Sequence, residues 1–272
     1  MQMRTKQKAF TLIELMVVIA IIGLLISIAT PALSRAMQHG RAMKSSNNLR
    51  SWGQGTMLYV TESNDLLPWE GYKTANRMGD NMNEPTWWAN AIPERLGEAT
   101  YKMHYEQGME LQSPNPVPMP GDESIFCDPS ADPPTQAPYN GGGVKFFFCY
   151  VPNSQLNNTF DGDEEYKQGL PFGIIRKPSD TVLMLEMRAN RDELPEDDPF
   201  YWKTLNRHRC DWKRFGARHL GGGHIVFGDG HIRRVLNHVV TTNQQLTRDP
   251  DEPSGNWNRS NLIWDPQGPA YD

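Results

Sequence analysis

The sequence predicts an α+β fold, in which one long N-terminal α-helix packs on an antiparallel β-sheet head. The first observation is an uncharged apolar run from Leu15 to Ser34, which leads into more helix-forming sequence. The second is an apolar run of strand length that ends at Glu186. The third is Asp229-Gly230 between two apolar runs, a strong hairpin signal. The first half of the helix is expected to protrude from the head.

The apolar run has the length of a membrane span, since about 20 apolar residues cross a bilayer as a helix. Three basic residues and no acid precede it: Arg4, Lys6 and Lys8. This basic flank should stay on the cytoplasmic side. A signal peptide has a shorter run that ends in a cleavage site of small residues. Here Thr30-Pro-Ala-Leu-Ser34 continues directly into helix, so the sequence favours a retained transmembrane helix.

The residues at the start of this run carry a family resemblance. From Lys8 the chain reads Lys-Ala-Phe-Thr-Leu-Ile-Glu-Leu-Met-Val-Val, which resembles the class III signal of type IV pilins and type II secretion pseudopilins. The resemblance implies cleavage by prepilin peptidase between Ala9 and Phe10, followed by N-methylation of Phe10. The family usually has Gly before the cut, where this chain has another small residue. Pro31 stands where the family often has a helix-kinking proline.

Glu14 is the only acidic residue near the run. A carboxylate at the edge of a membrane helix is costly and usually has a partner. The resemblance supplies one, because Glu14 of one filament subunit would neutralise the cationic amine of Phe10 in a neighbour. An unpaired charge there is expensive, so this assembly contact would also set the register. The alternative is that Glu14 lies in the lipid headgroup region.

The chain is expected to contain four segments. Residues 1–9 form the leader peptide, 10–33 the transmembrane half of the helix, 34–62 its periplasmic half and 63–272 the head. The resemblance implies a single-pass inner-membrane protein with a cytoplasmic N-terminus and a periplasmic head. The implied partners are prepilin peptidase, other pilin or pseudopilin subunits and the secretion or pilus assembly machinery.

The second half of the helix is expected to pack on the head. Apolar and small polar residues recur there every three or four positions, which predicts one buried stripe: Leu49, Trp52, Thr56 and Val60. Three glycines each weaken the helix by up to about 1 kcal/mol relative to Ala: Gly40, Gly53 and Gly55. Packing rather than helix propensity must therefore hold this half.

Composition excludes several classes of protein. The 272 residues carry a net charge of −5, which argues against a nucleic-acid partner, because such proteins present a basic face. Three cysteines fit neither a disulfide-dense mini-domain nor a zinc ribbon. In an oxidising periplasm Cys127 and Cys149 form the predicted disulfide, which would contribute roughly 3 kcal/mol by closing a loop of about 22 residues. The alternatives pair one of them with Cys210 or leave three buried thiols.

The C-terminal hairpin is predicted over residues 219–235. A type I′ turn at Asp229-Gly230 would place Phe227 opposite Ile232 and Ile225 opposite Arg234. His219, nine intervening residues and Asp229-Gly230 resemble the H-X9-DG signature of a pseudopilin-like family that is frequent in planctomycete and verrucomicrobial bacteria. That family carries the same N-terminal signal.

Two groups of residues have the composition of metal ligands. Three imidazoles and a carboxylate suit zinc: His219, His224, Asp229 and His231. The favoured interpretation is structural, with His224 and His231 on the hairpin surface, Asp229 serving the turn and His219 hydrogen-bonded to the turn backbone. An acidic loop offers oxygen ligands for calcium: Asp161, Asp163 and Glu165. It lacks the EF-hand pattern and is favoured as a solvated turn, so no cofactor is predicted.

The sequence favours a non-enzymatic subunit over two alternatives. The resemblance implies assembly through the helix into a type II secretion or type IV pilus-like filament. The first alternative is a membrane-tethered periplasmic binding domain that never polymerises, and the second is a periplasmic zinc hydrolase that uses the histidines. A phosphate-loop or nucleophile-elbow interpretation of Gly221-Gly-Gly223 lacks the necessary Lys or Ser.

Overall fold

The computed structural model describes residues 11–72, 75–113, 116–133, 146–156, 167, 169–205 and 207–268. The predicted cleavage site, Ala9 and Phe10, lies outside these residues, as does the acidic loop with Asp161, Asp163 and Glu165. The chain divides into two compact units, residues 1–40 and 41–272.

Helix α1 runs from Leu12 to Glu62 and contains Pro31. This confirms the predicted long N-terminal helix. Among the described residues it is the one helix long and apolar enough to cross a membrane, and none of its most apolar part is buried within the protein. The side chains from Leu12 to Leu33 therefore present the apolar surface that a bilayer requires.

The head contains a four-stranded antiparallel sheet, as predicted. Its strands are β1 (Tyr150–Pro152), β2 (Val182–Glu186), β3 (Gly222–Phe227) and β4 (Ile232–Leu236), and they lie side by side in this order. The head also contains three shorter helices: α2 (Trp88–Leu96), α3 (Tyr101–Glu110) and α4 (Asn237–Val240). Five short 3-10 segments complete the described elements: Ala75–Asn83, Phe172–Ile174, Arg191–Glu193, Trp212–Arg214 and Ser254–Asn256.

Strand β1 is shorter than its apolar sequence indicates, because Phe146, Phe147 and Phe148 precede it in irregular structure. All three rings are buried, whereas a strand would place alternate side chains on opposite faces. Tyr101 takes the place of a neighbouring strand. Its hydroxyl accepts the N–H of Phe147 at 3.0 Å, and its ring stacks on Phe148 at 4.6 Å between centroids.

The hairpin between β3 and β4 exists, but the predicted register is wrong by one residue. Val226 pairs with Ile232, and Ile225 pairs with Arg233. The turn uses three residues instead of two, since Phe227 N–H donates to the His231 carbonyl at 3.0 Å. Only Gly230 has a positive φ, +85°, which is the arrangement of a three-residue loop and not of a type I′ turn.

The second half of α1 packs on the head through the predicted stripe. Leu49, Trp52, Thr56 and Val60 are all buried. The Trp52 ring lies 5.3 Å from that of Trp88 and 5.0 Å from that of Phe126, both edge to face. Its Nε1 donates to the Ile125 carbonyl at 2.9 Å, so this side chain combines apolar burial with a satisfied hydrogen bond.

Replacing Gly53 by Ala is expected to destabilise the head, although Ala is the better helix former. A Cβ at Gly53 would lie 2.7 Å from Cγ2 of buried Val226. Overpacking of this kind costs about 1–3 kcal/mol, which outweighs a propensity gain of up to about 1 kcal/mol. Gly40→Ala is the matched control, because a Cβ there meets no atom within 4 Å. Thermal unfolding should show a lower midpoint for Gly53→Ala only, and the opposite order would contradict the close approach.

Candidate functional site

A group of charged side chains lies buried between α1 and the sheet, within residues 41–272. We call it the buried polar cluster and define it by eight residues: Ser45, Asp128, Tyr150, Glu186, Glu193, Arg218, His219 and His224. The side chains of Asp128 and Glu186 are fully inaccessible to solvent. Buried charges are tolerated only when they are paired and hydrogen-bonded, so the partners of each group decide what the cluster does.

A tight turn aims His219 into the cluster. His219 and Gly222 exchange backbone hydrogen bonds of 3.0 and 3.2 Å, and the intervening Leu220 and Gly221 both have positive φ. From β4, the Arg234 guanidinium donates twice to the His219 carbonyl, at 2.9 and 2.6 Å. His219 therefore lies at one end of β3, and the turn at Asp229-Gly230 lies at the other.

The two histidines share the carboxylate of Glu186. Glu186 Oε1 lies 2.7 Å from His224 Nδ1 and 3.5 Å from His219 Nε2. His219 Nε2 also contacts Asp128 Oδ2 at 3.0 Å. Gly223 makes room for this arrangement, since a Cβ there would lie 3.0 Å from Glu186 Oε2. The glycine run before His224 thus serves close packing.

Arg218 connects the cluster to two further acids. Its Nε and Nη2 donate to Asp128 Oδ2 at 3.1 and 3.0 Å, while Nη1 donates to Glu193 Oε1 at 2.8 Å. Nη1 also donates to the Met187 carbonyl at 2.7 Å. The guanidinium is therefore almost fully satisfied, which is what a buried cation requires.

Ser45 brings helix α1 into the cluster. Its hydroxyl lies 2.5 Å from Glu186 Oε1, 3.0 Å from Asp128 Oδ2 and 2.8 Å from the Tyr150 hydroxyl. These partners come from β2, from the loop that precedes β1 and from β1 itself. Ser45, one polar residue of α1, thus links the helix to the sheet and to His219.

The cluster holds its charges at neutral pH. Burial is the largest single effect on Asp128 and opposes its ionisation, but the Arg218 charge and the contact with His219 together outweigh it and lower the pKa of the carboxyl group. Burial likewise opposes a charged His219, yet its hydrogen bonds to Asp128 and Glu186 raise its pKa to about 9. The pKa of Glu186 is lowered against burial by hydrogen bonds to both histidines. Charged pairs this firmly held suit a structural role better than proton transfer near neutral pH.

The structure separates the four residues that the sequence offered as an alternative zinc set. His219 and His224 lie together in the cluster, with ring centroids 5.1 Å apart, so the prediction of a surface position for His224 is wrong. The predicted hydrogen bond from the His219 side chain to the turn is replaced by contacts with Asp128 and Glu186. Every residue of β3 is buried, so its side chains do not alternate between buried and exposed positions as in a strand with one face in solvent.

Asp229 and His231 form a separate pair at the hairpin turn. Asp229 Oδ1 accepts the His231 backbone N–H at 3.0 Å and lies 2.6 Å from His231 Nδ1. The His231 ring stacks on Phe227 with centroids 4.4 Å apart. The interpretation of Asp229 as a turn residue agrees with these contacts.

The predicted disulfide is not formed in this structure, where Cys127, Cys149 and Cys210 are all buried free thiols. The Cys127 thiol donates to the Met119 carbonyl, with 3.1 Å between sulfur and oxygen. Burial raises the pKa of Cys127 to about 12 and also raises that of the other two, so these thiols are unreactive at neutral pH.

A capping box begins helix α1. The Thr11 backbone N–H and hydroxyl both donate to Glu14 Oε2, at 2.8 and 2.7 Å. In return the Glu14 N–H donates to Thr11 Oγ1 at 3.3 Å. This reciprocal pattern satisfies two backbone donors at the helix start. Thr11 and Glu14 therefore have an intramolecular role that was not predicted from the sequence. The signal was present, because Thr-x-x-Glu before an apolar run is the sequence pattern of a capping box.

Comparison with known proteins supports a type IV pilin-like protein. Residues 4–30 match the family model of the prokaryotic N-terminal methylation motif. No curated protein and no solved structure shows significant similarity to the chain. The motif and the apolar helix together indicate a membrane-anchored structural subunit rather than an enzyme. The motif also implies processing by prepilin peptidase and association with pilin subunits.

Proposed function

We propose that this protein is a pseudopilin-like subunit of a type II secretion or type IV pilus-like filament. Prepilin peptidase cleaves it between Ala9 and Phe10 and methylates Phe10, and the helix then anchors it in the inner membrane with the head in the periplasm. The observation that carries the proposal is the methylation motif at residues 4–30, which overlaps an apolar helix long enough to span the bilayer.

Glu14 acts in assembly as well as in the capping box. Both bonds from Thr11 fall on Oε2, so Oε1 remains oriented away from its own cap. In a filament this carboxylate pairs with the methylated amine of Phe10 in the neighbouring subunit. Breaking such a pair in a low-dielectric bundle costs about 3–5 kcal/mol, because one charge is left without a partner.

Replacing Glu14 by Gln tests this role. Glutamine keeps an oxygen for the capping box and removes the charge, so the helix should form while subunit association falls more than about a hundredfold. Cross-linking in membranes of cells that contain the assembly machinery measures the association. Glu106→Gln removes an exposed acid from α3 and serves as the control. Equal cross-linking in both variants and the wild type would favour a tethered domain that does not polymerise.

A further inference from the structure

The buried polar cluster contains more negative than positive permanent charge. Asp128, Glu186 and Glu193 contribute three carboxylates, and among the described residues Arg218 is the arginine that forms salt bridges with Asp128 and Glu193. These four groups leave an excess of two negative charges in a region almost closed to solvent. Uncompensated charge in such surroundings is expensive. A divalent cation among these side chains would compensate the excess negative charge.

The donor set favours a divalent cation. One ligand atom each from Glu186, His219 and His224 lie within 4.8 Å of one another. Imidazole nitrogen and carboxylate oxygen are ligands that zinc prefers, usually four in a tetrahedron.

The separations between these atoms approach those of a tetrahedral site. Bonds of about 2.0–2.2 Å from zinc to nitrogen and oxygen place neighbouring ligand atoms about 3.3–3.5 Å apart. Glu186 Oε1 lies 3.5 Å from His219 Nε2 and 2.7 Å from His224 Nδ1. The three ligand atoms therefore need only small side-chain adjustments to surround one ion.

The backbone holds the ligands firmly, and an acidic cavity lies beside Arg218 and Glu193 of the cluster. Glu186 and His224 lie on neighbouring strands, where the His224 N–H donates to Glu186 Oε2 at 3.0 Å. Arg218 and Glu193 line a cavity of about 440 Å³. Its wall also includes Asp132 and Asp192, so its acidic lining attracts cations. Arg218 is in turn bonded to Asp128.

We propose that the buried polar cluster binds one divalent transition-metal ion of the zinc class through Glu186, His219 and His224. A fourth ligand such as water would complete the tetrahedron. Through the Ser45 hydroxyl beside Glu186, the ion would fasten helix α1 to the sheet.

Metal uptake by the full chain tests this site. The protein is extracted in detergent, stripped with a chelator and dialysed against zinc, and bound metal is counted by mass spectrometry. We expect one zinc ion per chain and a higher unfolding temperature when zinc is added. His224→Gln should weaken zinc binding more than about a hundredfold, since loss of even an outer partner costs about 10–100-fold. His231→Gln, at the exposed turn, should bind like the wild type.

Cobalt(II) substitution keeps the test decisive if His224→Gln fails to fold. A wild-type chain with cobalt should show the intense visible absorption of a tetrahedral site. A folded wild-type chain that takes up neither zinc nor cobalt would overturn the proposal, as would equal affinity in folded His224→Gln. None of these measurements depends on filament assembly, so this proposal and the proposed function can fail separately.

Discussion

Replacing Glu186 by Ala is expected to destabilise the head by about 3–5 kcal/mol, because it removes the carboxylate that both histidines and Ser45 contact. The loss would leave His219 and His224 in a buried region with one acid fewer. The free energy of unfolding of a typical domain is about 5–15 kcal/mol, so this single change removes a large share of it. Chemical denaturation of the detergent-extracted chain measures the difference.

Glu62→Ala is the matched control for this prediction. Glu62 ends helix α1 and forms a salt bridge of 3.3 Å with Arg95, but 60% of its side chain is exposed. Exposed pairs contribute about 0–1 kcal/mol, so this variant should unfold close to the wild type. Equal denaturation midpoints for the two variants would show that the buried polar cluster does not hold the head together.

Acidification is expected to destabilise the head through His208, which lies outside the buried polar cluster. Neither of its ring nitrogens has a hydrogen-bond partner among the described residues, and its ring meets Trp87 edge to face. Burial, with smaller contributions from Arg209 and Arg207, lowers its pKa to about 3. The pKa of a histidine in an unfolded chain is about 6.5. Between the two pKa values, the unfolded chain therefore binds a proton at His208 that the folded chain does not bind.

The sign of this effect follows from the lowered pKa. The contribution of neutral His208 to the free energy of unfolding is fully present above pH of about 6.5. It is lost progressively as the pH falls toward 3. At pH of about 4 the loss is on the order of 3 kcal/mol, since one unit of pKa corresponds to about 1.4 kcal/mol. Denaturation midpoints measured from pH 7 to pH 4 should fall less steeply in His208→Gln. The exposed His238→Gln should keep the wild-type slope, and an unchanged slope in His208→Gln would contradict the assignment.

Local patterns predicted the long helix and the hairpin well. Helix α1 begins within two residues of its predicted start at residue 10, and the spacing from Leu49 to Val60 identified its buried stripe. Asp229-Gly230 located the hairpin but not its register. Gly228 joined the turn, and one additional loop residue shifts every pair along the two strands.

The buried polar cluster was beyond prediction from sequence because its partners are distant along the chain. Asp128 lies 91 positions from His219, and Ser45 lies 141 positions from Glu186. No local sequence pattern indicates that such distant residues lie together. The sequence around Asp128, which precedes Pro129, indicates only a turn. The rule of alternating faces also misplaced His224, because both faces of β3 are covered.

Under the proposed assembly, the capping-box motif serves two levels of structure. Thr11 and Glu14 start the helix within the chain, and the signal resemblance assigns Glu14 a second role between chains. The two roles are compatible because the cap uses a single carboxylate oxygen. Variants at this position therefore need helix content and assembly measured side by side.

The intact mass of the membrane-extracted protein, produced with and without prepilin peptidase, tests the central claim most directly. With the peptidase we expect a chain that begins at N-methylated Phe10 and lacks the nine preceding residues. Without it, the chain should begin at Met1 or at the residue that follows it. A chain that keeps its leader in both cases would show that Ala9 is not accepted at the cleavage site, and it would contradict assembly through the pilin pathway.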